Sequence, residues 1–70
     1  MNLNEFLVWL RQHGCELIPM PEWSNATTIQ LVNTRNGKSH FLNTKFEELW
    51  PATIETACAR LGVPLPPDYD

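Results

Sequence analysis

From Leu49 to Val63 the chain reads Leu-Trp-Pro-Ala-Thr-Ile-Glu-Thr-Ala-Cys-Ala-Arg-Leu-Gly-Val, and this stretch limits the fold more than any other. Ile54, Ala57, Cys58 and Leu61 fall at i, i+3, i+4 and i+7, one face of a 3.6-residue period, while Glu55, Thr56 and Arg60 point away. The pattern predicts an amphipathic helix. Pro51 suits its first position, where a missing N–H costs nothing, and Gly62 suits the left-handed residue just past its end. Pro64 then forbids continuation. A helix this short is marginal alone, so its apolar stripe has to be covered by earlier parts of the chain.

The earlier parts supply the cover. Asn2 is followed three residues later by Glu5, a capping pair, and Leu3, Phe6, Leu7 and Leu10 repeat with helical spacing, with Gly14 as the stop. Arg11 and His13 sit in the last turn, where positive charge is favourable. Residues 15–20 are too short for a helix and run into Pro19 and Pro21, so they read as an edge strand that leads into a loop holding Trp23. Thr27 to Val32 is β-branched and alternating, as a central strand should be.

Asn36-Gly37 is the strongest turn signal. Read as a two-residue turn, it sets Arg35 against Lys38, Asn33 against His40, Val32 against Phe41 and Leu31 against Leu42. Ile29, Leu31 and Leu42 then share the core face with His40 at its rim, and Val32 and Phe41 share the other. Thr44 to Glu47 resembles a capping box and predicts a short helical turn before Pro51.

The expected order is α-β-β-β-α, an α+β fold in which two helices pack on one face of a three-stranded antiparallel sheet. The core should hold Leu7, Leu10, Ile29, Leu31, Leu42, Ile54, Cys58 and Leu61. Residues 1–63 make one domain; residues 64–70, proline-rich and acidic, read as an extended, mobile tail.

Seventy residues with 43% hydrophobic content suffice for one small core and argue against disorder. No apolar run approaches the roughly 20 residues of a membrane helix, and no basic leader precedes Glu5. A cytoplasmic protein is expected. Cys15 and Cys58 lack metal-site or CxxC spacing and read as buried reduced thiols, so neither metal nor cofactor is implied. Eight acids against five bases give a formal charge of −3, the wrong sign for a sequence-independent nucleic-acid binder.

Two stretches carry a family likeness. Leu10-Arg11-Gln12-His13-Gly14-Cys15-Glu16-Leu17 is a helix-to-strand junction, and Leu49, Pro51, Thr53, Ile54, Gly62 and Val63 form the second pattern. Across roughly residues 3 to 63 the chain resembles the HicA toxins, mRNA interferases of double-stranded-RNA-binding-domain-like fold that act in toxin–antitoxin pairs. That resemblance implies the same α+β frame. It also implies a Gly-Ser-His run opening the second strand, whose His cleaves RNA. The matching stretch here is Ser24-Asn25-Ala26-Thr27-Thr28, with no histidine. Threonine does not titrate near neutral pH and cannot serve as the general base.

His40 is therefore the remaining candidate for acid–base work, against a bland reading as a hydrogen-bonded rim residue. His13 reads more simply as a helix-end charge. Arg35 and Lys38, at the hairpin tip, are the candidates for RNA phosphate, or else a solvated turn. Trp23, Val32 and Phe41 are the candidates for partner binding, and Trp50 is either a core edge or an anchor, tryptophan being enriched at binding hot spots. Thr27 and Thr28 read as strand formers, and Cys15 and Cys58 as core rather than nucleophiles. The expected function is that of a HicA-like protein without nuclease activity. It would act through an antitoxin-like partner or self-association at the open sheet face, with weak RNA binding or none and no membrane. The alternatives are an active interferase using His40, or an unrelated small dimerising domain.

Overall fold

Helix α1 (Leu3–Gln12) begins at Asn2, whose side-chain Oδ1 accepts the Glu5 N–H at 2.8 Å while its Nδ2 donates to Glu5 Oε1 at 3.2 Å. The Asn2 half of the capping pair is made, satisfying one orphan N–H, and the Glu5 carboxylate, held by the Asn2 side-chain amide rather than by its backbone N–H, stands at the positive end of the helix. The computed structural model describes residues 1–18 and 27–67. Strands β1 (Cys15–Ile18), β2 (Thr28–Asn33) and β3 (Ser39–Asn43) follow, and α2 (Pro51–Leu61) ends the order. The sheet is antiparallel throughout with β2 in the centre. The expected strand end at residues 19–20 and the loop with Trp23 lie outside the described residues.

Both helices cover one face. Phe6 and Leu10 of α1 and Ile54, Ala57, Cys58 and Leu61 of α2 are buried with Cys15, Leu31 and Leu42 from the inner face of the sheet, and Leu49 and Val63 close the ends of the core. Leu7 and Ile29, expected inside, are half-buried against that cluster. Pro51 stands at the start of α2, and Gly62 ends it in the left-handed conformation (φ 69°).

The hairpin differs from the expected one by two residues. The observed pairs are Ile29–Leu42, Gln30–Phe41, Leu31–His40 and Val32–Ser39, with the Asn33 N–H bonded to the Lys38 carbonyl at 2.8 Å. The connection is thus Thr34 to Gly37. A two-residue turn needs positive φ at Asn36, and only Gly37 has it (φ 75°). The reason lies in two asparagine side chains. Asn33 Oδ1 accepts the Arg35 N–H at 3.0 Å, and Asn36 Oδ1 accepts the Lys38 N–H at 2.8 Å. Their Nδ2 groups both donate to the Leu61 carbonyl, at 2.8 and 3.1 Å, occupying a carbonyl that the helix end leaves open. Because the slip is an even number of residues, every side chain keeps its face. Val32 and Phe41 remain on the outer face, but as diagonal neighbours.

The segment after β3 is also different. Asn43 Oδ1 takes the Lys45 N–H at 2.8 Å, and the Thr44 hydroxyl donates to the Thr27 carbonyl at 2.9 Å, so Thr44 is spent on the sheet and caps no helical turn. Glu48 instead forms a single antiparallel bridge with Asn2 at the start of the chain: the Leu3 N–H donates to the Glu47 carbonyl at 2.6 Å and the Leu49 N–H to the Met1 carbonyl at 3.0 Å. This gives α1 a partner for one of its first N–H groups. Beyond α2 the proline-rich segment begins by packing on the domain: the Pro64 carbonyl accepts the Trp9 indole N–H at 3.0 Å, and Pro66 is buried.

Candidate functional site

Both helices start beside residues 47–50 and run toward the β2–β3 turn, so their negative carbonyl ends emerge at the same end of the molecule. The turn docks between them. The Thr34 N–H and hydroxyl both donate to the Gly14 carbonyl, at 3.0 and 2.9 Å. The Arg35 side chain lies so close over Gly14 that a Cβ there would fall 2.8 Å from Arg35 Nε. At the other helix end a Cβ on Gly62 would meet Asn36 Nδ2 at 2.7 Å and the Lys38 chain at 3.6 Å.

Arg35 and Lys38, the expected phosphate contacts, therefore flank helix C-termini, and Arg11 and Arg60 stand in the last helical turns. Four of the five Lys and Arg residues gather here, on a chain of net charge −3. Along the sequence these bases are thinly spread, at positions 11, 35, 38 and 60. The missing information was that the two helices run in the same direction, which turns two separate last-turn arginines into one patch.

His40 lies half-buried on the inner face of β3, opposite Leu31. Burial and, secondarily, the Arg60 charge push its pKa below the ordinary 6.5, which leaves the ring neutral at pH 7. A neutral imidazole within reach of a guanidinium charge supplies a base and a charge stabiliser; among the described residues no carboxylate adds to its titration. His13 is engaged elsewhere. Its Nδ1 lies 2.9 Å from the Trp9 carbonyl oxygen, which can only accept, so Nδ1 carries the proton; its ring packs on the Trp9 indole with centroids 4.2 Å apart.

The thiols are free and buried. Burial raises the Cys15 pKa, and burial with the neighbouring Cys15 sulfur pushes Cys58 up to about 11. Neither is a thiolate at neutral pH, so neither is poised for attack.

On the outer face, Ile18, Gln30 and Phe41 form one cross-strand row and Glu16, Val32 and Ser39 the next. Phe41 is 56% exposed and Ile18 41% exposed, while Val32 is half-buried. Trp23, the third residue expected on this surface, lies outside the described residues, as do Ser24 to Ala26 of the stretch that matches the HicA catalytic run. A second apolar surface escaped the sequence reading as a unit: Phe46 and Trp50, 59% and 75% exposed, stand on either side of Glu48. The signal available for it was the alternation of Phe46, Glu48 and Trp50, hidden by the assignment of a helical turn to this stretch.

Comparison with protein-family models, with curated proteins and with solved structures finds no match to this chain. Among the described residues no His, Cys, Asp and Glu side chains cluster to hold a metal ion, and no helix is long and apolar enough to cross a membrane.

Proposed function

We propose that this chain is a HicA-like domain without nuclease activity that acts in the cytoplasm by binding a protein across the outer face of its sheet. The observation that carries the reading is that face. Two helices on the inner side leave the strands bare on the other, with Phe41 and Ile18 flanking Gln30 in one exposed row. Exposed apolar side chains rimmed by polar ones, here Glu16, Ser39 and Asn43, are the usual composition of a docking face. The partner fitting the family likeness is an antitoxin-like protein, with a second copy of the chain as the competing occupant.

The test is sedimentation of the wild type and of Phe41→Asp, each alone at rising concentration and each mixed with the product of the adjacent reading frame. A heavier species formed by the wild type and abolished by Phe41→Asp supports the proposal. Its appearance in the mixture identifies an antitoxin-like partner, and its appearance in the protein alone identifies a second copy. An unchanged profile for Phe41→Asp refutes it.

A second reading is favoured by one observation, the neutral His40 beside Arg60 at the end where Arg11, Arg35 and Lys38 also collect. Under it the chain is an mRNA interferase with a displaced histidine. Against it stand the net charge of −3 and the positions of Arg35 and Lys38 against the helix ends, where part of their charge is already balanced. RNA contact through these two residues would be weak and confined to low salt.

A further inference from the structure

Strand β3 ends the sheet on one side, and its outer edge is open. The Asn33 N–H bonds to the Lys38 carbonyl and the Thr44 N–H to the Thr27 carbonyl, so the bonded pairs of the β2–β3 ladder fall at residues 38, 40, 42 and 44. Ser39, Phe41 and Asn43 therefore turn their N–H and C=O groups away from β2. Among the described residues no backbone group takes them, and all three residues are exposed. An edge of this kind normally carries a lysine, a proline or a bulge that keeps other strands off. Ser-His-Phe-Leu-Asn has neither lysine nor proline, and its register against β2 runs without a bulge.

The edge also matches itself. When two β3 strands pair antiparallel about a two-fold axis at Phe41, Phe41 faces Phe41, and Ser39 faces Asn43 of the second copy. Every outward donor then meets an outward acceptor, whereas a shift of one residue would oppose outward groups to groups already bonded to β2. The charges agree with this register. Lys38 comes opposite Thr44, and Lys45 opposite Gly37 of the second copy, so no like charges meet along the edge. Behind it, α2 runs opposite to β3, with Thr53 beside Asn43 and Arg60 toward His40. The same axis turns Arg60 of each copy toward the Thr53 end of the other helix and away from its own equivalent. On the outer face the row Ile18, Gln30 and Phe41 continues into Phe41, Gln30 and Ile18 of the second copy. Each Phe41, 56% exposed in the single chain, gains an aromatic neighbour directly across the join.

We propose that the chain dimerises by antiparallel, edge-to-edge pairing of β3 about Phe41, which joins two sheets into one. The contact is made by the strand edge and leaves the outer face open, so a protein docking there meets two Phe41 side chains instead of one. Five residues a side make a small interface, and the dimer is expected at submillimolar rather than nanomolar concentration.

Sedimentation of the full chain up to millimolar concentration at physiological salt, with amide hydrogen exchange followed by NMR over the same range, tests the proposal. A reversible dimer is expected. Exchange at the Ser39 and Phe41 amides should slow severalfold as it forms, while His40 and Leu42, already bonded to β2, change little. Ser39→Asp combined with Asn43→Asp opposes carboxylates at both ends of the join and should weaken the dimer about tenfold. Ser39→Lys combined with Asn43→Asp opposes unlike charges in the same places and should leave it at least as tight as the wild type. Both pairs change exposed residues, both keep an oxygen for the Lys45 N–H, and both are checked for unchanged circular dichroism. Ile18→Asp, at the other side of the sheet, should leave the dimer intact, whereas face-to-face docking would lose it. Equal dimerisation by the two double variants, unchanged exchange at Phe41, or loss of the dimer in Ile18→Asp each overturns the proposal. So does a monomer at millimolar concentration, which leaves the docking of a different protein on the outer face to stand on its own test.

Discussion

Asn33 is the sharpest point at which to perturb this fold. It is 3% exposed, sits on the inner face of β2, and joins the β2–β3 turn to the end of α2 through the Arg35 N–H and the Leu61 carbonyl. Asn33→Ala removes two hydrogen bonds from a buried position, at roughly 0.5–1.5 kcal/mol each, so a loss of about 1–3 kcal/mol is expected. A domain of this size has a total stability of only about 4–10 kcal/mol. Asn33→Asp should be worse, by more than about 3 kcal/mol at pH 7, because it buries a carboxylate against a carbonyl at the negative end of a helix.

The pH dependence separates the two variants. An aspartate in this position has its folded pKa raised above its unfolded value of about 3.9, so the folded state holds the proton longer. The stability of Asn33→Asp should then fall as pH rises from about 4 toward its folded pKa, whereas Asn33→Ala should track the wild type. Urea unfolding followed by circular dichroism across that range measures both, with the Asn33→Ala midpoint displaced by roughly 1–2 M. The reasoning is refuted if Asn33→Ala costs less than about 0.3 kcal/mol, or if Asn33→Asp matches it at every pH.

Leu31→Ala and Ile54→Ala, at fully enclosed positions, should each cost about 2–5 kcal/mol in the same unfolding assay. Gly62→Ala forces a left-handed residue and drives a Cβ to 2.7 Å from Asn36 Nδ2, so it should lose at least about 1–2 kcal/mol. The NMR titration of the His40 ring should show a midpoint below 6.5, rising in Arg60→Ala. Because the folded pKa is depressed, the unfolded state takes up the proton first. Acidification through and below about 6.5 should therefore destabilise the wild type more than His40→Gln.

The helices were legible because their signals are local. Asn2 with Glu5, the i, i+3, i+4 stripes, Pro51 and Gly62 each act within a turn or two of chain. Strand faces were legible for the same reason, since alternation survives an even register slip. The register itself was not. Asn36-Gly37 favours a two-residue turn in isolation, and it was overridden by Asn33 and Asn36 bonding to Leu61, 28 and 25 residues away. Thr44 to Glu47 failed as a capping box because Thr27 and Leu3, both distant in sequence, compete for its donor and acceptor groups. The basic end shares this origin: it is assembled by tertiary placement of Arg11, Arg35, Lys38 and Arg60, which are far apart along the chain.

Under the proposed function the chain binds a partner and leaves RNA uncut, although His40 offers a neutral imidazole within reach of the Arg60 charge. Incubation of the purified protein with single-stranded RNA at low salt, with His40→Ala and the pair Arg35→Ala and Lys38→Ala alongside, tests this most directly. Intact RNA is expected throughout, with any weak retention of RNA lost in the double variant. Cleavage by the wild type that disappears in His40→Ala would contradict the account and establish the interferase reading in its place.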